Sequence, residues 1–319
     1  VSVAPQAGTV QSAVMALLAA LGIVEDADEE EPPARRTWEF HDRLFHRRTR
    51  DFEDFRPYGG TYRFRQGSEN GYTDQLPSPP VIRAPHAGGT IDLPVPESTA
   101  GGSLQRVMEI RRSKREMGDE PVSLAQVAAL LHRVARVTRR LPGDRLQRPY
   151  PAAGAIHELE FYLAVGACRG LAPGFYHYRS DIHAATKLCR QGAAGAAAAM
   201  ISCCAEAWGT AGRPPQCLIV VTSRLPRLAW KYAAIAYRLS LLNAGVVLQS
   251  LQLVATDIGL NGAAAGSGKP ALFAEATGVP SWEETSIAEF GFGSRPEPVR
   301  LGAAGETPGQ PGGGAIVGV

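Results

Sequence analysis

The sequence predicts an α+β fold, in which helices are layered on a sheet. Three observations predict it. Four short strand-like runs, over residues 160–165, 174–179, 216–222 and 286–292, fall in the second half of the chain. A long apolar helix over 229–259 separates the last two. The strands and helices also lack a regular βαβ alternation, which disfavours a doubly wound parallel sheet. At 319 residues, 45% of them hydrophobic, the chain is long enough to bury a large core in one or two domains.

Four regions follow in order. Residues 1–34 carry a short helix over 10–21 and end in the acidic linker Glu29-Glu30-Glu31-Pro32-Pro33. The apolar stretch 13–24 has no basic residue before it and is shorter than the roughly 20 residues of a membrane span, so a cytoplasmic protein is expected. Residues 35–100 form an arm rich in Arg, aromatics, Gly and Pro, with a helix over 38–50. Tyr58-Gly59-Gly60-Thr61 and Leu76-Pro77-Ser78-Pro79-Pro80-Val81 suit extended chain draped over another surface, without a core of its own.

Residues 101–300 form the periodic body. A helix over 103–112 runs into the basic cluster Arg111-Arg112-Ser113-Lys114-Arg115. The capping box Ser123-Leu124-Ala125-Gln126 opens a second helix with Val127, Leu130, Leu131, Val134 and Val137 on one face, ended by Leu141-Pro142-Gly143-Asp144. Residues 193–199 are an alanine-rich helix or spacer. The helix over 229–259 is apolar nearly all round, through Ile235, Leu239, Leu242, Val246, Val247, Leu251 and Val254. Such a helix must be buried, in a core or at a subunit interface. The glycine-rich residues 301–319 read as a disordered tail.

Composition narrows the function classes. A net charge of +2 does not call for nucleic acid. Five cysteines without a Cys-x-x-Cys spacing argue against a disulfide framework and a zinc site, and suit a reducing compartment. His41, His46 and His177 lack metal-ligand spacing, so no metal is assigned. Residues 262–269 resemble a phosphate loop only superficially: Ala263 stands at the first position, Pro270 follows Lys269, and a helix precedes the loop.

Four segments carry chemistry. In Trp230-Lys231-Tyr232-Ala233, at the start of the long helix, an ammonium beside a phenol favours the phenolate and makes a proton-handling pair. Either member can be the base, since a buried lysine also titrates downward. The 111–115 cluster can grip a phosphate bidentately, with Ser113 bonding the same oxygens. Pro149-Tyr150-Pro151-Ala152-Ala153-Gly154-Ala155-Ile156-His157 is stiff and small, and lets main chain approach a flat ligand closely. Phe290-Gly291-Phe292-Gly293-Ser294-Arg295 ends the last strand with one arginine, a second phosphate clamp.

Taken in order, these segments resemble the flavin-dependent nitroreductase superfamily, and within it the SagB-type azoline dehydrogenases of thiazole- and oxazole-forming peptide pathways. The similarity rests on Arg111-Arg112-Ser113-x-Arg115, on Pro151 to His157 with Leu159, Glu160 and Tyr162, and on Pro173-Gly174-Phe175-Tyr176-His177-Tyr178. It continues through Lys231-Tyr232, Tyr237-Arg238, Gly245, Gln249 and Gly291-Phe292-Gly293, with an entry segment at Phe45-His46-Arg47-Arg48-Thr49-Arg50.

The resemblance implies a nitroreductase-like fold, an antiparallel-rich sheet flanked by helices with a long buried central helix, and an interlocked homodimer binding FMN at its interface. It implies that Arg111, Ser113 and Arg115 hold the phosphate, ribityl chain and pyrimidine edge, with Arg295 adding a phosphate contact. Pro151, Ala152, Ala153 and Gly154 would come from the other subunit over the isoalloxazine, and Asn261 and Gly262 would lie near its N5 edge. Ala152 stands where the family often has Ser, which removes a side-chain hydrogen bond there. Lys231 and Tyr232 would be the catalytic pair, the substrate an azoline-containing precursor peptide, and a cyclodehydratase a partner. The alternatives are a nicotinamide-dependent reductase of nitroaromatics or quinones, and a non-catalytic scaffold of an azole synthetase complex.

Overall fold

The computed structural model describes residues 7–20, 39–50, 59–67, 75–97, 102–266 and 268–297. The expected acidic linker and C-terminal tail lie outside the described residues. In chain order the elements are α1 (Ala7–Ala20), α2 (Phe40–Arg50), β1 (Thr90–Asp92), α3 (Leu104–Ile110), β2 (Val122–Ser123), α4 (Leu124–Ala135), β3 (Arg139–Leu141) and β4 (Arg145–Gln147). After a 3-10 turn at Ala153–Ala155 come β5 (Leu159–Val165), β6 (Cys168–Arg169), β7 (Gly174–Arg179), β8 (Ala184–Lys187), α5 (Ala193–Trp208) and β9 (Cys217–Ser223). The body closes with α6 (Leu225–Lys231), α7 (Ala236–Asp257), β10 (Asn261–Ala265), α8 (Pro270–Thr277) and β11 (Thr285–Gly293).

Period-two alternation sorts the strand side chains onto two buried faces. Leu159, Phe161, Leu163 and Val165 of β5 join Cys217, Ile219 and Val221 of β9 under α4 and α7. Tyr162 and Ala164 join Phe175, Leu218 and Val220 under α5 and α8. Both faces are thus apolar, which is why these strands read as continuous hydrophobic runs. The sheet has seven strands in the order β1-β8-β7-β5-β9-β11-β10, and every neighbouring pair is antiparallel. The fold is therefore of the expected α+β class, an antiparallel sheet flanked by helices.

Three expectations are corrected. The helix expected over 229–259 is two helices, α6 and α7, interrupted at Tyr232, whose backbone is extended (φ −103°, ψ 147°). The interruption is set from a distance: Gly60 bridges Tyr232, Tyr62 N donates to the Lys231 carbonyl, and Ala233 N donates to the Gly59 carbonyl. Nor is α7 buried all round. Ser240, Ala244, Val247, Leu251 and Ala255 are buried, but Tyr237, Leu241, Leu242 and Val246 are exposed. Among the described residues α7 is the one helix long and apolar enough to cross a membrane.

The third correction concerns Pro142-Gly143-Asp144, which does not end α4. That helix stops at Ala135, and the turn instead joins the hairpin of β3 and β4. The capping box at Ser123 and Gln126 forms as expected, with both reciprocal bonds present. The segment at 262–269 follows the helix α7 as expected, but it begins within strand β10, and α8 opens at Pro270.

Candidate functional site

Two groups of the expected site residues assemble on α7. The first lies beside its N-terminal half. Lys231 ends α6 and Tyr232 occupies the break, both half-buried. The cover loop 151–156 packs against them within the same chain. Gly154 has φ +59°, and a Cβ added there would stand 2.5 Å from the Tyr232 hydroxyl and 2.6 Å from Lys231 Nζ. Glycine is needed twice over, for its left-handed backbone and for the space that the two side-chain ends occupy beside it.

The loop is held by a relay that the motifs did not include. Asn243 Oδ1 accepts from Ala153 N at 3.1 Å, while its Nδ2 donates to both oxygens of Glu158 at 2.9 and 3.2 Å. Glu158 is fully buried, and burial pushes its carboxyl above the usual range against the hydrogen bond from Asn243. Beside it His157 is driven down to about 4, chiefly by burial and then by Arg148 and Arg227, so its ring is neutral at physiological pH. Two signals could have found this relay: an amide inside an otherwise apolar helix and a carboxylate beginning a core strand both need a reason to be buried.

The second group gathers at the other end of α7. Ser103 caps α3 and Arg111 closes it, leaving residues 112–116 outside any helix or strand. Gln252 Nε2 donates to the carbonyls of Arg112 and Gly262 at 2.9 and 3.0 Å, and Lys114 N donates to the Gly262 carbonyl at 3.3 Å. Asn261 Nδ2 donates to the Glu116 carbonyl at 2.8 Å. Arg295 spends one donor on the Thr256 carbonyl at 2.8 Å. Arg111 and Arg115 meet no carboxylate among the described residues, and Ser113 is exposed.

Within one chain the two groups do not meet. Asn243 and Gln252 are nine residues apart, about 13 Å along the axis and about 180° around it at 3.6 residues per turn. They flank the buried stripe of α7 on opposite sides.

The second group suits an anionic, polar-edged ligand such as a flavin phosphate. It has two guanidinium groups without a partner carboxylate among the described residues, and an adjacent hydroxyl. It also has a buried acceptor, Asn261 Oδ1, that finds no donor. The first group suits a flat group laid on main chain.

Comparisons with known proteins agree with this architecture. A family model described as the nitroreductase family matches residues 108–293. A provisionally named nitroreductase of Methanocaldococcus jannaschii is 26% identical over 182 residues, 56% of this chain and 86% of its own. Two crystal structures bearing nitroreductase names share the fold. That from Ralstonia eutropha JMP134 has a TM-score of 0.51 and 22% identity over 69% of this chain and 98% of its own. That from Anabaena variabilis ATCC 29413 has a TM-score of 0.55 and 20% identity over 85% of this chain and 49% of its own.

Proposed function

The chain belongs to the nitroreductase family, whose members are generally flavin-dependent oxidoreductases, and on that premise we propose that it is an FMN-dependent azoline dehydrogenase. It oxidises thiazoline and oxazoline rings of a ribosomally made peptide to thiazoles and oxazoles, in the cytoplasm and beside the cyclodehydratase that forms those rings. The observation that carries this reading is the Lys231 and Tyr232 pair, held over the bare backbone of Gly154.

Arg111, Ser113, Arg115 and Arg295 would hold the phosphate and ribityl chain, with Asn261 and Gly262 at the ring edge. Residues 151–154 of a second copy would cover the ring. The opposite placement of the two groups on α7 supports a homodimer, because a second copy can bring the missing group to each site.

Conversion of an azoline to an azole removes one hydride and one proton from the ring. Bound FMN supplies the hydride acceptor. Tyr232 takes the proton, and Lys231 stabilises the negative charge that develops as it leaves. The Glu158, Asn243 and Ala153 relay holds the cover loop, so that Gly154 keeps its close approach to both side chains.

The purified protein is expected to be yellow and to remove about 2 Da per ring from a synthetic thiazoline peptide, the two hydrogens of this chemistry. Lys231→Ala and Tyr232→Phe should keep the flavin and lose on the order of 10²-fold or more in turnover. Full turnover by both variants overturns the assignment. The second reading, reduction of nitroaromatics or quinones by a nicotinamide donor, is favoured by the name of the M. jannaschii relative. Stopped-flow bleaching of the flavin by NADPH would select it. A colourless protein that still binds a cyclodehydratase would select the scaffold.

A further inference from the structure

The arm before the family-matched region contributes a side chain to the Lys231 environment. We propose that Tyr62 is a positioning residue for Lys231, confining its ammonium between two aromatic rings. The catalytic consequence rests on the function proposed above, whereas the contact itself does not.

Lysine carries its charge on a flexible four-carbon stem, so a working ammonium must be confined. Lys231 Nζ stands 5.5 Å from the centroid of the Tyr62 ring and 5.2 Å from that of Tyr232. Both distances lie where a ring face attracts a cation. Tyr62 is itself braced. Its ring meets Trp230 edge-on at 5.9 Å and 86°, and Trp230 Nε1 donates to the Leu76 carbonyl at 2.8 Å.

The backbone is arranged to the same end. Tyr62 N donates to the carbonyl of Lys231, the very residue its ring faces, at 3.1 Å. The Gly60 bridge to Tyr232 ties the two segments together one step away. Tyr62 adopts φ +50°, a conformation that a bulky residue takes only when its surroundings impose it. Backbone strain, a main-chain clamp and two ring contacts therefore converge on one ammonium. Residue 62 lies outside the matched span of 108–293, so the family match does not account for it.

The test is pulsed acylation of the 319-residue chain with N-hydroxysuccinimidyl acetate, mapped by mass spectrometry at each of its four lysines. Tyr62→Asn removes the ring and keeps a residue that tolerates left-handed backbone. It should raise the Lys231 labelling rate several-fold and leave Lys187 unchanged. Tyr62→Phe keeps the ring face and should restore slow labelling. On a thiazoline peptide, Tyr62→Asn should lower kcat about tenfold with KM within twofold, the mark of lost positioning, not lost binding.

Lys231 labelling at the wild-type rate in Tyr62→Asn overturns the proposal. Should Tyr62→Asn also expose Lys187, the comparison passes to Tyr62→His, which keeps a smaller ring. An intermediate Lys231 rate supports the proposal, and the wild-type rate overturns it. If Lys231 responds while the wild type leaves azolines untouched, the contact stands and only the dehydrogenase reading falls.

Discussion

Gly154 is the residue on which the first group turns. Any side chain there must adopt φ +59° and intrude on the Lys231 ammonium and the Tyr232 hydroxyl. Gly154→Ala should cost about 1–2 kcal/mol for the left-handed backbone alone. Turnover should fall further than stability, because flexible side-chain ends move aside more cheaply than backbone. The check is a denaturation midpoint set against kcat for the same variant. That the loop 151–154 is made of small and stiff residues was legible in the chain, but its meeting with Lys231 and Tyr232 was not, nor was the place of Tyr62. Nothing near it in sequence suggests that its ring faces a lysine 169 positions away, since that meeting is made by a bridge between distant segments.

At the scale of elements, α6 is the junction between arm and site. Arg227 is buried and donates through Nε to the Ile156 carbonyl of the cover loop at 2.8 Å. Its other nitrogens reach the Pro79 carbonyl and the carboxylate and carbonyl of Asp144. Arg224 donates to the Pro80 carbonyl, and Arg83 pairs with the buried Glu284 at 2.7 Å. The proline string therefore lies on this chain's own helix. Arg227→Ala strands several acceptors at once and should destabilise the protein by roughly 3 kcal/mol, read from the urea midpoint.

The strands β5, β7, β9 and β11 were legible to within a residue or two, because each is a run of β-formers between turn residues. Strand β10 was not, since Asn-Gly-Ala-Ala-Ala has no β-branched or aromatic residue and is held by pairing with β11. The break at Tyr232 was hidden for a related reason. Residues 229–236 keep an apolar pattern, and the partner that opens the helix comes from the arm.

At the scale of the whole molecule, burial sets the pH dependence. It drives His86 down to about 3 and His132 and His157 to about 4, each from 6.5. Between those values and 6.5 the unfolded chain binds more protons than the native one, so stability is lost as pH falls through that window. Glu289 acts in the opposite sense. Burial raises it from 4.5 to about 7, so the native state binds more protons in that range and loses stability as pH rises through it. Three histidines outweigh one carboxyl where the windows overlap, so urea midpoints should rise from pH 4 towards 7 and then level off. Glu289→Gln removes the opposing contribution and should steepen the rise between about pH 4.5 and 7, and an unchanged slope there would contradict the burial argument.

The 22 residues of α7 set a limit on how the site can adapt. A straight, hydrogen-bonded helix transmits a displacement and does not absorb it, so the basic end at Gln252 and the polar end at Asn243 move as one stiff rod. Adjustment to a substrate must come from parts that can yield without breaking that rod: the cover loop and the arm. Both are tethered by a few side chains of α6, its N-cap and α7, the loop by Asn243 and Arg227 and the arm by Trp230, Arg224 and Arg227. The protein thus divides its labour mechanically, with α7 as a fixed gauge and two tethered flaps as the compliant members.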